Sequence, residues 1–134
     1  METNLVIAKL NNLRMSPRKV MLVAKAVRRQ DYVSARRILK FAEKLAAEPL
    51  LKLLESAKAS AKREGLKEDT LVVSEVLVGS GTTLKRGRFA SRGGYHRILK
   101  RTSNITIKLT GEKTAEPASE PGKLKKGKVK KDGK

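Results

Sequence analysis

The chain has 134 residues, with 32 Lys+Arg against 13 Asp+Glu, a formal net charge of +19 and a pI near 10.6. That excess selects partners rather than a fold, and it points to a polyanion. With no cysteine there is no disulfide framework or thiolate zinc site. Apolar runs such as Leu71-Val72-Val73 are far too short to span a membrane. Glu2 and Asn4 lead straight into an apolar strand rather than a signal peptide. The expectation is a soluble, cytoplasmic protein without membrane contact, made of one domain and an appendage.

The first element is a strand over Asn4–Leu10, with Leu5, Ile7 and, less cleanly, Val6 available for burial. Ser16-Pro17 is a helix start, a capping hydroxyl followed by proline at the first helical position. Val20, Val23, Ala24 and Val27 recur at helical spacing, while Arg18, Lys19, Lys25, Arg28 and Arg29 lie mostly off that stripe. A short second helix is expected around Ser34–Lys40, with Ala35, Ile38 and Leu39 facing one way. In the third, Ala47, Leu50, Leu51, Leu54, Ala57 and Ala61 form the apolar stripe. Pro49 requires that this helix either starts near Ala46 or kinks. Gly65 ends it, and Lys67-Glu68-Asp69 is a polar connection.

Leu71–Val78 and Asn104–Leu109 read as the last two strands, the latter with Ile105, Ile107 and Leu109 inward and Thr106 and Lys108 outward. The order β-α-α-α-β-β predicts a two-layer α+β domain over residues 1–110, three helices on a small sheet. Residues 111–134 carry eight lysines against four acids, a net of +4, with Leu124 and Val129 the only sizeable apolar side chains. So little apolar area does not offset the entropy of ordering, which predicts a disordered basic tail. Lys125, Lys126, Lys130 and Lys131 either neutralise phosphates there or are simply solvated.

Between the last two strands, Val76 to Gly111 holds eight basic residues and no acid. The stretch predicts a protruding basic β-hairpin at about 79–98, with Gly93-Gly94 as the turn. Roughly ten residues per side at ~3.3 Å each give a reach of about 30 Å. Such an arm repels itself and calls for nucleic acid along its length. Gly79-Ser80-Gly81 lacks the spacing of a phosphate-binding loop, and a bulge accounts for it better. Expected RNA contacts are Arg14, Arg18 and Lys19 near the first helix, and Lys85, Arg86, Arg88, Arg92, Tyr95, His96, Arg97, Lys100 and Arg101 on the arm. Arginine forks phosphates and stacks on bases; lysine acts as a point charge. Phe89 and Tyr95 either stack on unpaired bases or pair across the hairpin and stiffen it. His96, the only histidine, has no second His or Cys to share a metal, so neither metal nor cofactor is expected.

Gly81-Thr82-Thr83-Leu84-Lys85-Arg86 and the run Arg97-Ile98-Leu99-Lys100-Arg101-Thr102-Ser103-Asn104-Ile105-Thr106 resemble the hairpin of the large-subunit ribosomal protein 22 family. Met15-Ser16-Pro17-Arg18-Lys19-Val20 and Leu53-Leu54-Glu55-Ser56-Ala57 resemble the same family in the same order, so the likeness covers about residues 4–110. Phe89-Ala90-Ser91 departs from the family's arginine–glycine-rich tip with proline, and Gly94 replaces a usual basic residue. Asn104 stands where histidine is frequent and Ser60 where asparagine is. The compact length is similar to bacterial members. The resemblance implies a structural constituent of the large ribosomal subunit, a translation component bound to large-subunit rRNA and neighbouring ribosomal proteins. Its globular part would lie near the polypeptide exit. The tip, Phe89, Ala90, Ser91, Arg92, Gly93 and Gly94, would line part of the exit tunnel, within reach of the nascent polypeptide.

Two other classes compete. An architectural DNA-bending protein would use a β-arm too, but such arms wedge an apolar or proline side chain between base steps. Here no proline occurs between Pro49 and Pro117. An enzyme needs convergent acids, bases or metal ligands, and the arm offers none.

Overall fold

A computed structural model of the chain describes residues 4–113. The elements run β1 (Asn4–Leu13), α1 (Pro17–Val27), α2 (Tyr32–Phe41), α3 (Ala47–Arg63), β2 (Val72–Ser80), β3 (Leu84–Phe89), β4 (Tyr95–Lys100) and β5 (Ser103–Gly111). Short 3-10 turns occupy Glu68–Thr70 and Ser91–Gly93. One antiparallel sheet has the order β1-β5-β2, and β3 pairs with β4 in a second, two-stranded sheet. The three helices pack on one face of the larger sheet. The result is an α+β fold in two layers, with Leu50, Leu54, Leu71, Ile105, Ile107 and Leu109 fully buried between them.

β5 is central because its period is clean: Ile105, Ile107 and Leu109 are buried, and the residues between them are only partly so. β1 follows the opposite parity from that expected. Val6 and Ala8 are buried, while Leu5 and Ile7 face outward. Pairing with β5 decides this, because Val6 lies opposite Leu109 and Ala8 opposite Ile107, whereas Ile7 lies opposite Lys108. Lys9 shares its face with Leu5 and Ile7, and burying that face would bury its ammonium unpaired.

In α1, Val20, Val23, Ala24 and Val27 form the buried stripe. The Ser16 hydroxyl makes no capping bond; its carbonyl accepts from the Lys19 and Val20 amides at 3.0 and 3.3 Å. α3 begins at Ala47, so Pro49 sits in the first turn, where a missing amide hydrogen breaks no helical bond. Its inner face adds Leu53 to the expected residues, with Leu51 partly buried. The link between α1 and α2 closes the outer edge of β2. Arg29 N–H donates to the Val73 carbonyl at 2.8 Å, Val73 N–H to Gln30 at 2.9 Å, and the Arg28 guanidinium to Val76 at 2.8 Å.

The packed structure runs past the boundary expected at residue 110. Gly111 is buried opposite Asn4, and a Cβ there would strike Leu71. The Glu112 carbonyl accepts from Lys67 N–H at 3.0 Å, and Lys113 bridges to Leu66. The rest of the basic tail read from the sequence lies outside the described residues.

Candidate nucleic-acid interface

The root of the hairpin is a polar node. Ser80 pairs with Ser103 and Leu84 with Lys100, so residues 81–83 on the outgoing limb face only two, 101–102, on the return. That surplus residue is a bulge, and it turns the limb as it leaves the sheet. Gly81 N–H donates to the Thr102 carbonyl at 2.9 Å, and the Thr102 hydroxyl donates to the Thr82 carbonyl at 2.6 Å. Asn12, in the left-handed region at φ 56°, donates its backbone N–H to the Asn104 side-chain oxygen at 2.9 Å. A Cβ at Gly81 would collide with the Thr102 hydroxyl, so only glycine fits this junction.

Above the root, all residues of β3 and β4 are exposed. Opposite residues share a face, so Lys100, Arg86, Ile98, Arg88 and His96 project on one side. Lys85, Leu99, Arg97, Phe89 and Tyr95 project on the other. The β3–β4 register is centred on Arg92 and extends to Leu84 opposite Lys100, while Gly79 still pairs with Asn104 in the larger sheet. The return limb therefore runs past the limit near residue 98 read from the sequence, to Lys100. At the turn the Ala90 amide donates to Gly94 at 2.8 Å. Gly93 takes φ 70°, but Gly94 does not use its freedom; Arg92 takes the other left-handed position at φ 57°.

Phe89 and Tyr95 are direct cross-strand partners, edge to face with centroids 5.9 Å apart. Tyr95 lies across Gly87, where any Cβ would meet its ring. The rings therefore pair across the hairpin, yet Phe89 is 87% and Tyr95 61% exposed, leaving their outer faces available to a base.

The expected basic residues near α1 converge on this root. A cleft of about 730 Å³ between α1, the α2–α3 link and the end of β4 is lined by Arg14, Lys19, Lys44, Lys100 and Arg101. A neighbouring cleft joins Arg18 to Arg101 through Ser16, Ser80, Thr83 and Thr102. Lys85, Arg86, Arg88, Arg92, Tyr95, His96 and Arg97 lie outside both clefts, along the hairpin. Lys44 was not visible from sequence, because it sits in a link with no periodicity. Leu22 did leave a signal, as an apolar residue off the buried stripe of α1.

Charge is distributed unevenly. Among the described residues, the ion pairs are Arg36–Glu55, Lys52–Glu48, Lys58–Glu68, Lys62–Glu68 and Lys108–Glu75. None involves a cation of either cleft or of β3 and β4. The hydrogen bond from Lys108 holds the Glu75 carboxyl below its ordinary value, against partial desolvation, with the charges of Lys108 and Arg28 assisting. Glu68 is lowered in the same way by Lys58, and Glu48 by Lys52. These cations, without an ion pair among the described residues, offer the donors that phosphates require.

The fold is a small α+β domain that carries an exposed basic hairpin. The model of the family "Ribosomal protein L22p/L17e" matches residues 8–110. The chain is similar to the large ribosomal subunit protein uL22 of Mycoplasma mycoides, 45% identical over 107 residues, covering 79% of this chain and 96% of that protein. It is also similar to the uL22 of Deinococcus radiodurans, 46% identical over 96 residues, covering 71% of this chain and 72% of that one. With uL22 of Christiangramia forsetii it shares 47% identity over 106 residues, covering 76% and 78%. The chain belongs to the ribosomal protein L22p/L17e family, in its bacterial form. That family is structural and not enzymatic.

Proposed function

We propose that this protein is a structural constituent of the large ribosomal subunit that binds large-subunit rRNA through its hairpin and the clefts at its root. Family membership supports the place in the subunit. The observation that carries the RNA reading is the set of unpaired cations, Arg14, Arg18, Lys19, Lys44, Lys100 and Arg101, converging where the hairpin meets the body. A two-stranded arm enters closely packed phosphates where a globular face does not fit, and it can tie distant RNA segments together as they fold. The globular part then lies near the polypeptide exit, and the tip at Phe89–Gly94 lines part of the exit tunnel beside the nascent chain. Small residues at Ala90, Ser91, Gly93 and Gly94 suit a narrow, weakly interacting wall.

Chemical footprinting of deproteinised large-subunit rRNA, with duplex DNA as competitor, tests the first claim. Protection that survives excess duplex DNA supports it; complete competition by DNA overturns it. For the tunnel, ribosomes carrying Ser91→Trp are compared with ribosomes carrying Lys100→Ala and Arg101→Ala. The tip variant should alter stalling on tunnel-sensitive messages while subunit yield holds, and the root variant should reduce yield first. If Ser91→Trp lowers yield equally and leaves stalling unchanged, the tip is an assembly contact and not tunnel wall.

A further inference from the structure

The cleft at the hairpin root is not purely cationic. Leu22 from α1, Leu45 from the α2–α3 link and Leu99 from β4 share it with the five basic residues. Leu22 is 68% and Leu45 82% exposed, far more than their size favours in water. Among the described residues, no carboxylate lines the cleft. An occupant must therefore present apolar faces and negative charge together, within a volume that suits a small organic group.

We propose that this cleft receives one unstacked nucleotide of the RNA, its base against Leu22, Leu45 and Leu99, and its flanking phosphates on Lys19, Lys44, Lys100 and Arg101. The inference rests on the rRNA-binding reading above and names a subsite within it. Duplex RNA does not satisfy the cleft, because a duplex offers it phosphate and sugar while leaving the leucines wet. A base turned out of the stack presents two apolar faces, which apolar side chains and guanidinium planes cover. The adjoining cleft supports this choice over an acidic peptide. It shares Ser16 and Arg101 with the first and is lined by hydroxyls of Ser80 and Thr83 beside Arg18. That is the lining a ribose and the next phosphate need, and the Ser16 hydroxyl makes no capping bond that would occupy it. The bonds at Gly81 and Thr102 tie the two limbs of the hairpin root to each other beside these clefts.

The test uses the full chain and deproteinised bacterial large-subunit rRNA. Leu45 is replaced by the photocrosslinker p-benzoylphenylalanine, and Leu5, exposed on the outward face of β1, carries it in a control. The Leu45 probe should crosslink to one or two unpaired nucleotides that the Leu5 probe does not reach. The exposed pair Leu22→Ser and Leu45→Ser should weaken binding about tenfold, the scale of one lost base stack, with an unchanged salt slope and thermal midpoint. Crosslinks confined to base-paired nucleotides overturn the proposal, as does wild-type affinity in the double serine variant. A Leu45 crosslink to another ribosomal protein in assembled subunits also overturns it, giving the cleft a protein occupant. In each of these cases the wild-type chain still binds rRNA and the broader reading stands. If the wild type fails to bind rRNA, both fall together.

Discussion

Lys52 lies 2.7 Å from Glu48, Lys58 2.7 Å from Glu68 and Lys108 2.8 Å from Glu75, all within the α/β body. Along β3 and β4, Lys85, Arg86, Arg88, Arg97 and Lys100 form no ion pair with any described carboxylate. The body pairs five of its cations internally and stands on a buried apolar layer. The hairpin has, in its strands β3 and β4, neither a buried residue nor a counter-charge among the described residues. Its two strands are held by their own ladder and by one aromatic pair, which is marginal support in water. What stabilises one region is therefore interior packing, which the other lacks.

The largest expected effect lies in the body. Leu54→Ala, at a fully buried position, should cost about 2–5 kcal/mol in urea unfolding, while Leu45→Ala should stay within about 0.5 kcal/mol. Equal costs at the two leucines would break the distinction between interior and surface drawn here. Next comes the hairpin. Replacing Arg86, Arg88 and Arg92 with Ala should leave unfolding unchanged and lower the slope of log affinity for rRNA against log salt by about 2, at roughly 0.7–0.9 per lost phosphate contact. Arg36→Ala and Lys52→Ala, in paired positions of the body, should leave that slope alone. An unchanged slope in the triple variant would move the contacts to α1 and the root.

How far the sequence carried this comparison depends on the region. The helical stripes of α1 and α3 were legible because several apolar residues recur at one spacing, and β5 because its alternation is unbroken. β1 was misread since residues 5–8 are apolar in both parities; only Lys9 and the pairing with β5 choose the face. The cationic residues of the hairpin were legible as a run without acids. The root cleft was not, since it joins Arg14, Lys44 and Leu99 from three separate elements, and no local pattern announces such an encounter. Its expected members near α1 and at Lys100–Arg101 were named singly, without sign that they meet.

Smaller effects sharpen the boundary between the regions. Truncation after Thr110 removes the pairing of Gly111 and the bonds of Glu112, so it should cost about 1–2 kcal/mol relative to truncation after Lys113. Equal thermal midpoints for the two truncations would show those three residues to be dispensable. At the root, the Ser103 hydroxyl is buried without a hydrogen-bond partner among the described residues. Ser103→Ala should therefore stabilise the body by about 1 kcal/mol, the lower end of what an unsatisfied buried group costs. A destabilised alanine variant would mean that the hydroxyl is solvated or bonded in solution.

The smallest effect is a pH dependence, and it belongs to the body alone. Glu75 and Lys108 are cross-strand partners on the outward face of the sheet, and the Lys108 hydrogen bond lowers the Glu75 pKa in the folded state. A carboxylate depressed on folding contributes stability that is fully present above its unfolded value, about 4.3, and is lost as pH falls through the folded value. Acidification below about pH 4.3 should thus erode a small increment that Glu75→Gln lacks, so the two stability profiles should converge at low pH and separate above it. Because the pair is partly exposed, salt should shrink the separation. Carbon-13 detection of the Glu75 carboxyl gives a direct check, and titration at the ordinary glutamate value would remove the pair from the account of stability. Losing it would not alter the hairpin, whose cations pair with no carboxylate among the described residues; acid that weakens the body's pairs leaves the hairpin's positive charge intact. RNA affinity measured on the folded protein should accordingly stay flat across the range in which Glu75 titrates. A fall in affinity that tracks the Glu75 titration would show that the two regions are coupled.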